Sequence, residues 1–266
     1  MNVDARSQSV TQSTVVLTGA AGHIGRALAT ALVERGNHVI MTDVMAEGTD
    51  LCGEIGSAGP GTCEYIRLDL ASVEEVEAGC REIRSRFPTI DLLINNAAMA
   101  ASSASSGYMA PFAEQTAAAF IDAMQVNLVA PFIFARELAG ALASSPAGCI
   151  VNIASIYGLV AADPRLYDGT NMVTPIAYAT SKAGLIQMTR SLATELAPRV
   201  RVNAIAPGGI SRRQPEAFVE RYVSRTPLQR MGTEADMVGA VLWLGSPSAG
   251  YVTGQCLAVD GGWTAW

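Results

Sequence analysis

The run Thr14-Val-Val-Leu-Thr18, which breaks into glycines and then into an alanine- and leucine-rich stretch, constrains this chain more than any other feature. β-branched residues in a short apolar run read as a buried strand. Gly19-Ala-Ala-Gly22-His23-Ile24-Gly25 follows, then a helix to about Arg35 that Gly36 ends. His38-Val-Ile-Met-Thr-Asp43 is a second strand, closing on a carboxylate. Glycines let a backbone approach a pyrophosphate, and a helix N-terminus supplies free N–H groups and a positive dipole end. Asp43 lies where a carboxylate accepts from the ribose hydroxyls of an adenosine. A glycine turn alone is often only a turn; strand, glycines, helix, strand and acid in this order favour a dinucleotide site.

The alternation continues to the end of the chain. Cys63–Leu68 is a third strand ending at Asp69, residues 72–87 an amphipathic helix with Pro88 after it, and Ile90–Ile94 a fourth strand running into Asn95-Asn96-Ala97-Ala98. An Ala/Ser-rich loop leads to a helical region over about 112–144, interrupted near Asn127 and Pro131. Gly148–Ala154 is a fifth strand ending at Ser155, and the helix bearing Tyr178 runs to about Ala197. Arg199–Ile205, a loop opened by Pro207-Gly208-Gly209, short helices over 214–224 and 233–245, and the strand Gln255–Val259 complete the pattern. Strands alternating with helices predict an α/β fold, a parallel sheet covered on both faces. No repeat or linker divides the sequence, so residues 14–266 are expected to form a single domain behind a flexible polar tail, 1–13.

Composition narrows the function. A net charge of −6 without a basic stripe argues against nucleic acid and against anionic membrane surfaces. The polar start lacks the apolar run of a signal peptide, and no stretch approaches 18 uninterrupted apolar residues; the expectation is a cytoplasmic protein with no membrane span. The 5 cysteines are scattered and never form a C-x-x-C pair, so they read as reduced, small hydrophobic residues. His23 and His38 lie near no cysteine pair, and no metal is expected.

Tyr178-Ala-Thr-Ser-Lys182 carries the chemistry. Residues four apart on a helix share a face. An ammonium beside a phenol favours the phenolate, which predicts a Tyr178 pKa lowered towards working pH and a proton donor and acceptor for a hydroxyl/carbonyl interconversion. Lys182 is the only lysine among 18 basic side chains; at this one position an ammonium has been kept where a guanidinium would not substitute.

Thr18-Gly19 with Gly25, Asp69, Asn95-Asn96-Ala97, Asn127, Ser155, Tyr178 with Lys182, Pro207-Gly208 and Val259-Asp260-Gly261-Gly262 together resemble the short-chain dehydrogenase/reductase family, in its shorter branch, over residues 13–262. The resemblance implies a doubly wound, Rossmann-like sheet of seven strands and NAD(P)-dependent oxidation or reduction at their carboxyl ends. It implies that Tyr178 is the general acid/base, that Lys182 lowers its pKa and holds the nicotinamide ribose, that Ser155 hydrogen-bonds the substrate oxygen, and that Asn127 anchors a water linking Lys182 to solvent. It also implies that Gly19, Gly22, His23, Ile24 and Gly25 meet the pyrophosphate and that Asp69 and Leu70 flank the adenine. Asn96 and Ala97 join the cofactor site, Asn95 being more structural, and Pro207, Gly208, Gly209 and Ile210 pass beside the nicotinamide. A homo-oligomer, a tetramer, follows from the same resemblance, with Trp263 and Trp266 either at a subunit contact or capped within the subunit.

Two departures stand out. A glycine one place earlier, at Gly22, leaves His23 where the branch commonly has glycine, so His23 is either a cofactor contact or only the first helical residue. Ser155 and Tyr178 lie farther apart than the family usually has them, which implies an insertion overhanging the substrate. Its polar residues, Arg165 and Tyr167 among them, and Arg212 across the site predict a polar, sugar-like small-molecule substrate, neutral or anionic. Asp43 would repel a ribose 2′-phosphate, which predicts NAD over NADP. The alternatives are an epimerase or dehydratase that uses NAD transiently, and a dinucleotide-sensing protein without turnover.

Overall fold

The computed structural model describes residues 13–46, 48–99 and 105–266; the expected tail falls almost wholly outside them, as does part of the Ala/Ser-rich loop. Seven strands form one parallel sheet in the order β3-β2-β1-β4-β5-β6-β7. They are β1 (Thr14–Thr18), β2 (His38–Asp43), β3 (Thr62–Arg67), β4 (Leu92–Asn95), β5 (Cys149–Ile153), β6 (Arg201–Pro207) and β7 (Cys256–Val259). Among the described residues eight α-helices connect them: α1 (His23–Glu34), α2 (Gly48–Gly56), α3 (Val73–Arg86), α4 (Ala117–Met124), α5 (Ala130–Ala143), α6 (Ile176–Glu195), α7 (Glu216–Ser224) and α8 (Glu234–Gly245). The chain reverses direction across the sheet between β1 and β4, and it is at such a switch point that the strand ends leave a crevice for a ligand.

Alternation along β1 explains why both faces are covered. Val15 and Leu17 join the core under α1 and α8, with Leu28, Leu32, Met237 and Val241. Val16 points the other way, into the core under α3 and α5, with Ile83, Phe134 and Leu138. The helical stretch Ala117–Ala143 is long and apolar enough to cross a bilayer, the one such stretch among the described residues. It is a core helix here: Ala130, Ile133, Phe134 and Leu138 are at most 2% exposed against the sheet. The interruption expected near Asn127 is a π-helical turn, Gln125–Val129, between α4 and α5. Such a turn inserts a residue into a helix and is common at functional sites.

Two local features differ from expectation. Helix α2 was not anticipated because Gly48, Gly53 and Gly56 give it low intrinsic propensity; its apolar residues Leu51 and Ile55 hold it to the core by tertiary packing. The cysteines are less scattered in space than in sequence. Cys52 of α2 and Cys63 of β3 stand with their sulfurs 2.8 Å apart, both as free thiols. Burial, then the contact with Cys63, pushes the Cys52 thiol up to about 12.

Candidate active site

The turn after β1 is built to sit close to other backbone. Gly19 has φ +66, and a Cβ there would lie 2.6 Å from Ala97 Cα; a Cβ on Gly25 would lie 2.1 Å from the Gly19 carbonyl oxygen. Helix α1 begins after Gly22 with no side-chain cap, so the first N–H groups of His23 and Ile24 point out of the helix without a protein acceptor from the capping residue. Asp43 closes β2 beside them. Its Oδ2 accepts from Ala21 N at 2.9 Å and its Oδ1 from Val44 N at 2.8 Å. A carboxylate oxygen has two lone pairs, so Oδ2 keeps one for a further donor.

The end of β4 is laced to this turn. Asn96 Nδ2 donates to the carbonyls of Thr18 and Gly19, at 3.0 and 2.9 Å, while Thr18 Oγ1 accepts from the Asn96 and Ala97 N–H groups. Asn96 therefore spends its amide on shaping the turn. Asn95 donates to Asn152 Oδ1 at 2.8 Å in a buried chain that runs through Thr189 to the Leu185 carbonyl. Asp69 Oδ1 accepts from Ala71 N, and Leu70 is buried beside it.

Across the crevice, Ser155, Tyr178, Lys182 and Asn127 meet. Ser155 caps the turn after β5, with its Oγ accepting from Tyr157 N at 3.2 Å, and is hydrogen-bonded to the Tyr178 phenol. Lys182, 2% exposed, donates from Nζ to the Ile153 carbonyl at 2.7 Å and stands 5.9 Å from the Tyr178 ring centroid. Asn127, at the π turn, accepts from Met99 N at 2.7 Å and donates to Ser181 Oγ at 2.9 Å, and Ser181 Oγ donates to the Tyr178 carbonyl. One side chain thereby ties α6 to the β4 loop.

Electrostatics correct one expectation. Burial pushes the Tyr178 phenol up, and its hydrogen bond with Ser155 and the charge of Arg212 only oppose this. Burial likewise pulls Lys182 down, from 10.5 to about 8. Lys182 Nζ donates to the Ile153 carbonyl, and desolvation of phenol and ammonium outweighs the helix-face pairing read from the sequence.

The remaining site residues divide clearly. Gly208 donates to the Val259 carbonyl and Gly209 to the Tyr222 hydroxyl at 2.6 Å, while Ile210 pairs with Gly232; the loop after Pro207 is thus pinned at three points. Tyr222 had no signal in the sequence, since its role depends on α7 docking under this loop. Trp263 is 6% exposed and stacks on Tyr222, capped within the subunit, whereas Trp266 is 80% exposed. In the insertion, Tyr167 Oη lies 2.5 Å from Tyr157 Oη and 2.6 Å from Thr174 Oγ1. Arg212 stands near enough to influence Tyr178 and has Glu234 3.8 Å away. Arg165 is not brought to the site: it is 82% exposed and forks onto Asp163. Among the described residues no cluster of His, Cys, Asp or Glu is arranged to hold a metal.

A family model described as enoyl-(acyl carrier protein) reductase, of the short-chain alcohol dehydrogenase type, matches residues 19–264. A galactitol 2-dehydrogenase (L-tagatose-forming) of Cereibacter sphaeroides is 33% identical over 94% of this chain and 94% of its own length. The chain belongs to the short-chain dehydrogenase/reductase family. A short-chain dehydrogenase from Leptospira borgpetersenii, solved with bound NAD+, superposes with TM-score 0.80 at 32% identity, covering 95% of this chain and 93% of that one. A putative NAD(P)-dependent gluconate 5-dehydrogenase from Beutenbergia cavernae, solved with NADP, gives 0.82 at 33%, covering 96% and 97%.

As a short-chain dehydrogenase/reductase the protein is an NAD(P)-dependent oxidoreductase. Its own residues fit such a cofactor. The uncapped start of α1 suits a pyrophosphate, and the spare lone pair on Asp43 suits a ribose hydroxyl. Of the family's catalytic residue types, Ser155 follows the carboxyl end of β5, Tyr178 and Lys182 lie on α6, and Asn127 lies in the π turn.

Proposed function

We propose that this protein is an NAD-dependent dehydrogenase that interconverts a secondary alcohol and its ketone, with a polar, sugar-like molecule as substrate. The observation that carries the reading is Tyr178, half-buried, hydrogen-bonded to Ser155 and backed by the buried Lys182. Ser155 holds the substrate oxygen, and Tyr178 Oη takes its proton during oxidation or returns it during reduction. Lys182 stabilises the phenolate, and Asn127, by fixing Ser181 and α6, keeps Tyr178 and Lys182 in register. The bound nicotinamide supplies the hydride acceptor or donor. Uncapped α1, Asp43, Asp69, Leu70 and the pinned loop Pro207–Ile210 line the cofactor's place. Burial raises the Tyr178 pKa, so oxidation, which needs the phenolate, accelerates as pH rises, and ketone reduction, which needs the phenol, slows.

Cofactor choice rests on Asp43. Its remaining lone pair favours a free ribose hydroxyl and repels a 2′-phosphate, while Arg26, in the first turn of α1, has its Nε–H turned onto the Ala21 carbonyl. NAD is expected to bind at least ten-fold more tightly than NADP, and Asp43→Ala to narrow that gap, as read by fluorescence titration. NADP as the better ligand of the wild type would reverse the assignment. The whole reading is tested by following reduced-cofactor absorbance with sugar alcohols, hydroxy acids and steroids. Accumulation of reduced cofactor with carbohydrates supports a dehydrogenase, and turnover without accumulation supports the epimerase alternative. Homo-oligomer formation, as a tetramer, and a cytoplasmic location belong to the same proposal; the exposed Phe120, Ile121 and Phe132 on α4 and α5 support the first.

A further inference from the structure

Tyr108 was not singled out by any sequence pattern, yet it stands beside Tyr178. The two rings share one apolar cluster with Met99, Ala119, Ala123 and Ala177, and their phenols interact electrostatically. Tyr108 is 4% exposed, and among the described residues its hydroxyl has no hydrogen-bond partner. A phenol buried this far normally finds a partner for its O–H.

The residues that follow it are tied to backbone. Gly107, at φ +90, turns the chain where a Cβ would lie 2.7 Å from Thr116 Cγ2. Thr116 Oγ1 donates to the Ser106 carbonyl, Gln115 Nε2 donates to the Ala110 carbonyl, and Gln115 Oε1 accepts from Ile176 N at the start of α6. A cavity of about 410 Å³ opens here, lined by Tyr108, Phe112, Gln115, Thr116 and Ile176. Gln115 and Thr116 already spend their polar groups on backbone, which leaves the Tyr108 hydroxyl as the unused one.

On the α7 side of Tyr178 lies the cluster of Tyr157, Tyr167 and Thr174 hydroxyls. Each such oxygen offers one donor and two acceptor sites, so the cluster keeps capacity for a substrate hydroxyl. Two phenols thus come near Tyr178: Tyr108 from the β4–α4 connection, which shares its apolar cluster, and Tyr167 from the insertion, whose phenol acts on it electrostatically.

We propose that the Tyr108 hydroxyl is a second substrate-binding group, and that with Tyr167 it selects secondary alcohols bearing a hydroxyl on the carbon at each side of the reacting one. This rests on the dehydrogenase reading above and narrows its substrate to internal positions of polyols. The test compares ribitol and galactitol with 1,2-propanediol and 2-butanol as substrates of the wild type, Tyr108→Phe and Tyr167→Phe. The wild type should prefer the better polyol over 2-butanol by at least 100-fold in kcat/KM, with the diol between. Each variant should reduce that preference about ten-fold, mainly through KM of the polyol, as expected for one lost hydrogen bond. If Tyr108→Phe does not fold, the wild-type ranking still decides. Equal use of 2-butanol and the polyols, or an unchanged preference in Tyr108→Phe, overturns this inference and leaves the dehydrogenase reading standing. Absence of NAD- or NADP-linked turnover with all four alcohols and their ketones overturns both.

Discussion

Tyr178→Phe is expected to lower kcat by about three orders of magnitude, within the range that a positioned acid/base contributes. The ring and its packing against the cluster of Met99, Tyr108, Ala119, Ala123 and Ala177 remain, so the fold should be unchanged. Only the oxygen that exchanges a proton with the substrate is lost, together with its hydrogen bond to Ser155. Stopped assays of reduced cofactor give kcat, and fluorescence titration gives the affinity for NAD, which should stay within a few-fold of wild type. A loss of less than ten-fold in kcat would remove Tyr178 from the chemistry and, with it, the proposed mechanism.

Lys182→Met is expected to have two opposite effects. Turnover should fall at least 100-fold, because no cation then supports the phenolate; Lys182→Arg should do little better, since a guanidinium is bulkier and the site leaves 2% of Lys182 exposed. Stability should rise. Burial holds the folded Lys182 pKa at about 8 against 10.5 when unfolded, so between these values the unfolded chain binds more protons than the folded one. Wild-type stability therefore increases as pH rises from about 8 to about 10.5, and the charge is a penalty at pH 7. The methionine variant escapes it, so its advantage in urea denaturation should be largest at pH 7 and shrink towards pH 10.5. A variant less stable than wild type at pH 7 would show that the hydrogen bond from Lys182 Nζ to the Ile153 carbonyl outweighs desolvation. Keeping a stabilising replacement out of this position is the trade of stability for function seen at many active sites.

Local patterns determined much of this protein. β1, the glycine turn and β2 were readable because strand and helix periods and glycine placement are properties of neighbouring residues, and the strands found match those expected to within a few residues at their ends. That Tyr178 and Lys182 share a face was readable too, because helix geometry places both, whereas Ser155 beside them was implied only by the family resemblance. The tertiary structure alone decided what depends on distant segments docking. The pairing of Cys52 with Cys63, the hold of Tyr222 on Gly209, the turning of Arg165 onto Asp163 and the approach of Tyr108 to Tyr178 leave no periodic trace along the chain. The sign of the Tyr178 shift belongs with them. Residue spacing puts a lysine on the same helix face, but how much water the fold removes from phenol and ammonium is set by the sheet, the insertion and the π turn packed around them, and here that desolvation wins.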